Sequence, residues 1–402
     1  MMKNSSLFKK ISGDLLWSIA AVCLMNGAIQ VLIYPQLHRW LGTEKYGDML
    51  FLISIVALFS SGIGLALNNT RLILSKEYAV GNSEYLLWMA LYLIPATGIT
   101  IFFAKQYFAM LPLSCTVFLL WLMTLRYYCD VEYRLSLRYR SYFVFYLILT
   151  LGYTVGLALY RVTGSWINTL TLGELSCVLF CAIRGSVFYP LKRPVSFWRV
   201  GRTAISLVVA NILYSAVIQL DRILLRSLLG SREVTVFYVA SLLGKVIALI
   251  VGPLNAIIIS YLSRSEGKLS RRQAMQTIGI FLAVGMLFYG MVSVASPLVI
   301  RTLYPEIYDE VMPFTMLANL GQVLCFVGSL ELTLLLTIAP PWWQTVIQSV
   351  YVLVFLGGGV IGVQMGGLSG FVFATVVAGV LRMGMTIVVM LRYLAKNGGK
   401  GE

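Results

Sequence analysis

Long apolar stretches, each of about 19–28 residues, follow one another along almost the whole chain. Each stretch is long enough to cross a hydrocarbon core of roughly 30 Å as an α-helix. Lipid offers the backbone no hydrogen-bonding partner, so such stretches must be helical, and the alternating segments of about 10 residues typical of transmembrane β-barrels do not occur. Charged residues make up only 12% of the chain, against roughly 25% in soluble proteins. The sequence therefore predicts an all-α polytopic membrane protein.

About twelve transmembrane helices are expected, in two six-helix lobes around a central cavity. The predicted spans are 14–37, 46–68, 85–104, 107–125, 142–163, 166–186, 203–225, 234–262, 274–300, 311–337, 342–362 and 367–392. The first span is longer than the apolar core of a signal peptide and is not followed by a small-residue cleavage site.

A basic, proline-containing stretch, YPLKRPVSFWRVGR at Tyr189–Arg202, separates six predicted spans from six. We predict an N-terminal lobe at 1–190, a cytoplasmic linker at 191–202 and a C-terminal lobe at 203–402. A weak internal repeat supports this division.

In the repeat, LHRWLGTEKYGDMLFLISI aligns with LRSLLGSREVTVFYVASLL when Gly42 is placed on Gly230, an offset of 188 residues. Gly64 then falls on Gly252. Paired six-helix halves are a known transporter plan, in which rocking of the halves alternates access to a central site.

The basic residues are distributed unevenly between the two sides of the predicted membrane. The formal net charge is +15; 21 Lys and Arg residues fall on the side of both termini and 8 on the other side. Because cytoplasmic loops are enriched in Lys and Arg, both termini are predicted to be cytoplasmic. Membrane topology thus explains the excess of positive charge, and no nucleic-acid partner is expected.

Polar residues recur at helical spacing in the first, second and seventh spans. Polar side chains are costly in lipid, so such stripes indicate a bundle interior or a water-filled lumen. Hydrogen bonds between helices are the alternative explanation. The three stripes are Asn26, Gln30, Tyr34 and His38, then Ser61, Gly64, Asn68 and Arg71, then Asn211, Ser215, Gln219, Arg222 and Arg226. His38, the only histidine, is assigned to an outer loop.

Five ionisable residues fall within or near the ends of spans: Glu174, Asp221, Lys245, Glu331 and Arg382. Buried charges must pair or face water. Lys245 is predicted to face the cavity. Glu331 and Arg382 are interpreted as an ion pair or as side chains that snorkel to the interface. For Glu174, a structural ion pair and an ion-coupling carboxylate remain equally open.

No catalytic, metal-binding or nucleotide-binding constellation is predicted. The six cysteines show no CxxC spacing, and no glycine-rich phosphate loop occurs. We therefore predict no enzyme activity, no metal site and no cofactor.

Three segments carry a resemblance to a known family. They are YPQLHRWLGTEKYGDMLFLISI at Tyr34–Ile55, LDRILLRSLLGSREVTVFYVASLL at Leu220–Leu243 and RTLYPEIYDEVMPFTMLA at Arg301–Ala318. With them, essentially the whole chain resembles the polysaccharide branch of the multidrug/oligosaccharidyl-lipid/polysaccharide (MOP) exporter superfamily, the O-antigen and capsule repeat-unit flippases. One departure is the segment APPWWQ, where this family often carries charged residues.

The resemblance implies that the protein moves an undecaprenyl-pyrophosphate-linked oligosaccharide from the inner to the outer leaflet of the bacterial inner membrane. It also implies contacts with membrane lipids and with the polymerase and chain-length regulator of the same pathway. In this hypothesis Lys245, Arg222, Arg226 and Arg71 supply positive potential in the cavity. Asn26, Gln30, Asn68, Asn211 and Gln219 hydrogen-bond the glycan, and Glu174 and Asp221 are candidates for ion coupling.

Other functions compete with this one. A cation-coupled multidrug antiporter of the same superfamily is expected to have more acids than cations in its cavity, the opposite of the set above. A membrane glycan polymerase or ligase typically depends on a large extracytoplasmic loop, whereas the loops predicted here are short. A non-transporting scaffold leaves the polar stripes unexplained.

Overall fold

The computed structural model describes residues 2–75, 81–107, 110–191, 196–248, 271–336, 338–340 and 342–398. Among these residues all regular structure is helical and no strand occurs. In chain order the α-helices are α1 Met2–Gly27, α2 Tyr34–Leu41, α3 Thr43–Leu74, α4 Asn82–Ala104, α5 Met110–Ser136, α6 Tyr139–Thr163, α7 Trp166–Arg184, α8 Phe197–Leu228, α9 Ser231–Ala240, α10 Leu242–Ala248, α11 Arg271–Leu303, α12 Tyr308–Leu335 and α13 Trp342–Gly398. A π-helical segment, Ala28–Ile33, joins α1 to α2, and a 3₁₀ turn, Pro305–Ile307, precedes α12.

The helices follow the predicted apolar stretches. Nine helical segments within the described residues are long and apolar enough to cross a membrane. The longest, α13, changes direction at Gly366 and Gly367, whose backbone angles are not helical. It therefore supplies two spans, which confirms the predicted gap between 362 and 367. The predicted span 234–262 begins in α9 and α10, and its part beyond Ala248 lies outside the described residues.

The first span contains a local widening of the helix. The amide of Tyr34 donates to the carbonyl of Ile29, five residues back, as in a π-helix. Pro35 follows at once, and because proline has no amide hydrogen the normal helical bond is lost there. The chain nevertheless stays helical through His38, which is fully buried in α2. The prediction that His38 lies in an outer loop is wrong, since the amphipathic helix extends past the apolar run.

The two glycines aligned by the repeat have the same structural role. Gly42 ends α2 with φ 76°, and Gly230 precedes α9 with φ 129°. Both angles favour glycine because a side chain would clash with the backbone. In each copy a new helix begins at the next residue.

The chain separates into two compact units, Met1–Ile223 and Leu224–Glu402. The division falls within α8, whereas the sequence places the domain boundary at 191–202. In the first unit α6 and α7 pack closely through small residues. A Cβ atom added to Gly156 would lie 2.5 Å from the carbonyl oxygen of Thr169, so only glycine permits this approach.

Candidate functional site

Helix α3 carries several of the predicted site residues and packs against α5. A Cβ atom on Gly64 would lie 2.6 Å from both the carbonyl oxygen of Thr124 and the Cβ of Tyr127. The absence of a side chain at Gly64 therefore brings the two helices together. One turn later, the buried Asn68 donates from Nδ2 to the carbonyl of Tyr127 at 3.0 Å. The Oδ1 atom of Asn68 is buried and has no hydrogen-bond donor among the described residues.

Arg71 lies near the C-terminal end of α3, between two aromatic rings. Its Nη1 donates to the hydroxyl of Tyr128 at 2.6 Å. The guanidinium carbon lies 5.4 Å from the centre of the Tyr85 ring and 5.9 Å from that of Tyr128, within the range of cation–π attraction. Within the part of the chain that the structure describes, Arg71 forms no ion pair with a carboxylate. We call Arg71, Tyr85 and Tyr128 the Arg71 site.

A second cation, Arg222, connects α8 to α3. Its Nη1 lies 3.2 Å from Ser54 Oγ on α3 and 3.2 Å from Gln219 Oε1 on its own helix. The carboxylate of Asp221 accepts a hydrogen bond from the backbone amide of Arg222 at 2.8 Å. Asp221 itself is buried. Two helices thus each supply an oxygen acceptor to one guanidinium, a serine hydroxyl on α3 and an amide oxygen on α8.

The serines of the two polar stripes also meet. Ser61 Oγ on α3 lies 2.7 Å from Ser215 Oγ on α8. By contrast, the amide groups of Asn26 and Asn211 donate to carbonyls of their own helices, at Val22 and Leu207. The structure therefore brings together the stripes of the second and seventh spans. Gln30 lies in the π-helical segment, so the regular four-residue spacing of the first stripe is interrupted.

The remaining predicted cations belong to the unit Leu224–Glu402. Lys245 is half-buried on α10, and its Nζ lies 5.2 Å from the centre of the Tyr238 ring and 5.4 Å from that of Phe237. Arg226 is half-buried near the end of α8. Aromatic faces thus surround Lys245 much as they surround Arg71 in the other unit. That these four cations face a common cavity remains a prediction.

Glu174 forms a buried ion pair that the sequence left open. Arg126 Nε donates to Glu174 Oε2 at 2.8 Å, with the two side chains 3% and 0% exposed. The hydroxyl of Tyr153 donates to the other carboxylate oxygen at 2.5 Å. Arg126 comes directly after the predicted span 107–125, whereas in the structure α5 continues to Ser136 and Arg126 is buried within it. A role of Glu174 in ion coupling remains a prediction.

A buried charged group also occurs in the second unit. Arg382 on α13 donates to Cys325 Sγ and to Ser329 Oγ of α12, each at 3.4 Å, and lies 5.1 Å from the centre of the Tyr351 ring. It is 4% exposed, and Glu331 is fully buried. Snorkelling to the interface is therefore wrong for both residues, and the alternative of an ion pair is not found among the described residues. Neither oxygen of Glu331 has a hydrogen-bond donor among the described residues.

Comparison with solved structures identifies the fold. The lipid II flippase MurJ in an inward closed conformation matches with a TM-score of 0.73 and 13% identity, over 95% of this chain and 89% of that one. A multidrug resistance MATE family transporter of the MOP superfamily, in an outward-facing conformation, matches with a TM-score of 0.65 and 12% identity over 96% of both chains. The chain has the MATE–MurJ fold.

A third match extends over almost the full length of both proteins. The Vibrio cholerae MATE transporter VcmN in its bent form gives a TM-score of 0.62 at 11% identity, over 98% of this chain and 99% of that one. No family model matches the sequence, and no curated protein matches it. At these identities the MATE–MurJ fold is what the proteins share, and it makes this chain a multi-pass membrane protein.

Proposed function

We propose that the protein is a lipid-linked oligosaccharide flippase. It moves an undecaprenyl-pyrophosphate-linked repeat unit from the inner to the outer leaflet of the bacterial inner membrane by alternating access. The product serves O-antigen, capsule or exopolysaccharide synthesis, where a polymerase and a chain-length regulator act next. The likeness to a lipid II flippase supports the fold required for such transport.

The observation that carries the proposal is the Arg71 site. A cation inside a membrane protein is costly unless it is compensated. The partners of Arg71 among the described residues are a neutral hydroxyl and two aromatic rings. Among the described residues this environment orients the guanidinium and includes no carboxylate counter-ion, which suits Arg71 to a phosphate.

The location of Arg71 fits the first step of the proposed reaction. In the predicted orientation the C-terminal end of α3 faces the cytoplasm. A pyrophosphate lipid in the inner leaflet carries its charge at the depth of the lipid head groups. Arg71 is therefore placed to meet the substrate as it enters, before the glycan and the phosphates leave the cytoplasmic side.

The remaining polar residues suit the transport of a glycan. Sugar hydroxyls need donors and acceptors to replace water, and amide side chains such as Asn68 and Gln219 supply both. The cations Arg222, Arg226 and Lys245 supply further positive potential, and Asn26, Gln30 and Asn211 supply further amides. Glu174 and Asp221 are the carboxylates available for ion coupling.

Lipid extraction and mass spectrometry on host cells with and without the gene test the proposal. Without the gene we expect an undecaprenyl-pyrophosphate oligosaccharide to accumulate on the cytoplasmic side and the surface polymer to be lost. The accumulated lipid would also identify the glycan. Unchanged lipid intermediates together with increased sensitivity to cationic drugs would instead support the multidrug antiporter, whose fold is the same.

A further inference from the structure

The irregular segment that follows α7 binds two other helices of the first unit. Ser186 lies two residues beyond the end of α7, and its backbone carbonyl accepts a hydrogen bond from Asn82 Nδ2 on α4 at 2.8 Å. The backbone amide and the Oγ of Ser186 both donate to Glu132 Oε2 on α5, each at 2.9 Å. A single residue thus connects α4 to α5. We call Asn82, Glu132 and Ser186 the Ser186 bridge.

The Ser186 bridge lies beside the Arg71 site. Asn82 precedes Tyr85 by three residues on α4, and Glu132 follows Tyr128 by four residues on α5. Residues three or four apart are neighbours on one face of a helix. The centres of the two tyrosine rings are 6.1 Å apart, so α4 and α5 meet at the Arg71 site and are joined again one turn away. In the predicted orientation the bridge lies on the cytoplasmic side of that site.

The bridge is a firm connection because its side chains are buried. Asn82 is 6% exposed and Glu132 is 7% exposed. The second carboxylate oxygen of Glu132 accepts a hydrogen bond from Arg138 Nη2 at 2.7 Å. Hydrogen bonds to a carboxylate are stronger than those between neutral groups, and a buried polar group that loses its partner is left with the cost of its desolvation. Separation of α4 from α5 at this level is therefore unfavourable.

The chain around the bridge is attached to α4 at a second point. Trp88 Nε1 donates to the backbone carbonyl of Phe197 at 2.7 Å, and the two rings are stacked with their centres 4.7 Å apart. Val187, next to Ser186, is fully buried. The chain before residue 192 and the chain after residue 195 are thus both fastened to the first unit, although the sequence assigns 191–202 to a linker between lobes.

We infer that the Ser186 bridge positions the Arg71 site, so that Asn82 and Glu132 are positioning residues for the phosphate. This inference rests on the proposed function, which assigns a phosphate to Arg71. The guanidinium is held by Tyr85 of α4 and Tyr128 of α5, and these contacts require a fixed spacing of the two helices. The bridge fixes that spacing one turn away. A misplacement of about 1 Å in a functional site can lower its activity roughly 100-fold.

A double-mutant cycle on unfolding tests the positioning without transport. Asn82→Asp preserves the size of the side chain and suits the first position of α4, where an acidic residue is favourable. At neutral pH it cannot donate to the Ser186 carbonyl. We expect the decrease in melting temperature caused by Tyr128→Phe to be at least halved in the Asn82→Asp background, because the hydroxyl is no longer held against Arg71. An unchanged decrease would overturn the positioning.

Variants of the other two bridge residues distinguish the bridge from general damage to the fold. Ser186→Ala keeps both backbone hydrogen bonds and loses only the hydroxyl bond, so it should reduce the effect of Tyr128→Phe less than Asn82→Asp does. Glu132→Gln retains an oxygen acceptor for Ser186, whereas Glu132→Leu does not. Glu132→Leu should therefore reduce the effect of Tyr128→Phe more, and equal reductions would contradict a role for the Ser186 hydrogen bonds.

Flipping kinetics test the consequence for the substrate. The probe is a fluorescent polyprenyl-pyrophosphate-linked disaccharide in vesicles, and its flipping is measured by quenching with external dithionite. Asn82→Asp should raise the probe concentration for half-maximal flipping severalfold and at most halve the maximal rate. Added to Arg71→Gln, it should have no further effect, because the residue that it positions is gone. A severalfold rise that persists in the Arg71→Gln background would overturn the inference.

The two measurements separate this inference from the proposed function. If the unaltered protein does not flip the probe, the proposed function fails, and with it the assignment of a phosphate to Arg71. The unfolding cycle then decides alone whether the Ser186 bridge positions the Arg71 site.

Discussion

At the residue scale, the charge of Arg71 can be separated from the geometry that holds it. Arg71→Gln removes the cation, and since a hydrogen bond to a charged group contributes about 1.5–3 kcal/mol, flipping of a pyrophosphate lipid should fall roughly 10- to 100-fold. Arg71→Lys retains the charge without the planar fork and should give an intermediate rate. The measurement is the initial flipping rate in vesicles at equal protein content.

Tyr128→Phe is the matched control for Arg71. It removes the hydroxyl that accepts the 2.6 Å bond and keeps the ring and the charge. Because the lost hydrogen bond has a charged donor, we expect a loss of about 1.5–3 kcal/mol in stability and a smaller loss of flipping than in Arg71→Gln. Equal flipping by Arg71→Gln and the unaltered protein would show that the phosphate is recognised elsewhere.

The Arg126–Glu174 pair allows a second residue-scale prediction. Removing one partner of a buried pair leaves an uncompensated charge and typically costs about 3–5 kcal/mol. Arg126→Leu should therefore destabilise the protein strongly, and adding Glu174→Gln to it should recover a large part of that loss. Unfolding in detergent, followed for both single variants and the double variant, gives the coupling energy.

The same variants separate a structural role of Glu174 from ion coupling. If Glu174 serves only to pair with Arg126, the double variant should transport with an unaltered dependence on the proton and sodium gradients. A double variant that is stable and flips its substrate, yet no longer responds to either gradient, would assign ion coupling to Glu174.

At the scale of helices, glycine positions differ in whether a side chain would fit there. Gly156 packs against the backbone of Thr169, so Gly156→Ala should cost about 1–3 kcal/mol through overpacking. Gly98 on α4 has no atom within 4 Å of an added Cβ. Gly98→Ala should therefore stabilise its helix by up to about 1 kcal/mol. Thermal unfolding of the two variants in one detergent measures both effects, and equal shifts would contradict the packing of α6 on α7.

The positions of the helices were predictable because lipid imposes a simple rule on composition. An apolar run must be a helix, so the break at Gly366 and Gly367 fell where the sequence placed it. The ends of helices were less predictable. Some helices continue beyond the apolar run as amphipathic segments, and hydropathy does not detect these segments. His38 in α2 and Arg126 in α5 were misplaced for this reason. The π-helical segment has no clear signal beyond Pro35.

The contacts of the candidate site were only partly predictable. Helical spacing grouped Ser215 with Arg222 on α8, and both residues contact α3. On α3, however, Ser61 contacts α8, whereas Arg71 contacts Tyr85 on α4 and Tyr128 on α5. Spacing alone cannot tell which helices are neighbours, so the contacts of Ser61 with Ser215 and of Arg222 with Ser54 required the three-dimensional structure. The partner of Glu174 was missed because Arg126 lies 48 residues away in the sequence and just beyond the end of the predicted span 107–125.

At the scale of the whole molecule, the direction of transport depends on the orientation of the chain in the membrane. The excess of Lys and Arg on one side predicts that the C-terminal end of this sequence and the cytoplasmic end of α3 share a side. Green fluorescent protein fused after Glu402 should therefore fluoresce. Alkaline phosphatase fused after Gly230, between α8 and α9, should be active in the periplasm.

The opposite result would reverse the predicted orientation of the chain in the membrane. If the fusion after Glu402 were dark and the phosphatase fused after Gly230 inactive, Arg71 would lie at the outer leaflet and Arg222 near the cytoplasm. The Arg71 site would then meet a pyrophosphate lipid only after transport. Inward movement of an anionic lipid would fit that arrangement. The expected orientation instead fits export, because Arg71, which has no carboxylate partner among the described residues, then faces the leaflet in which the substrate is made.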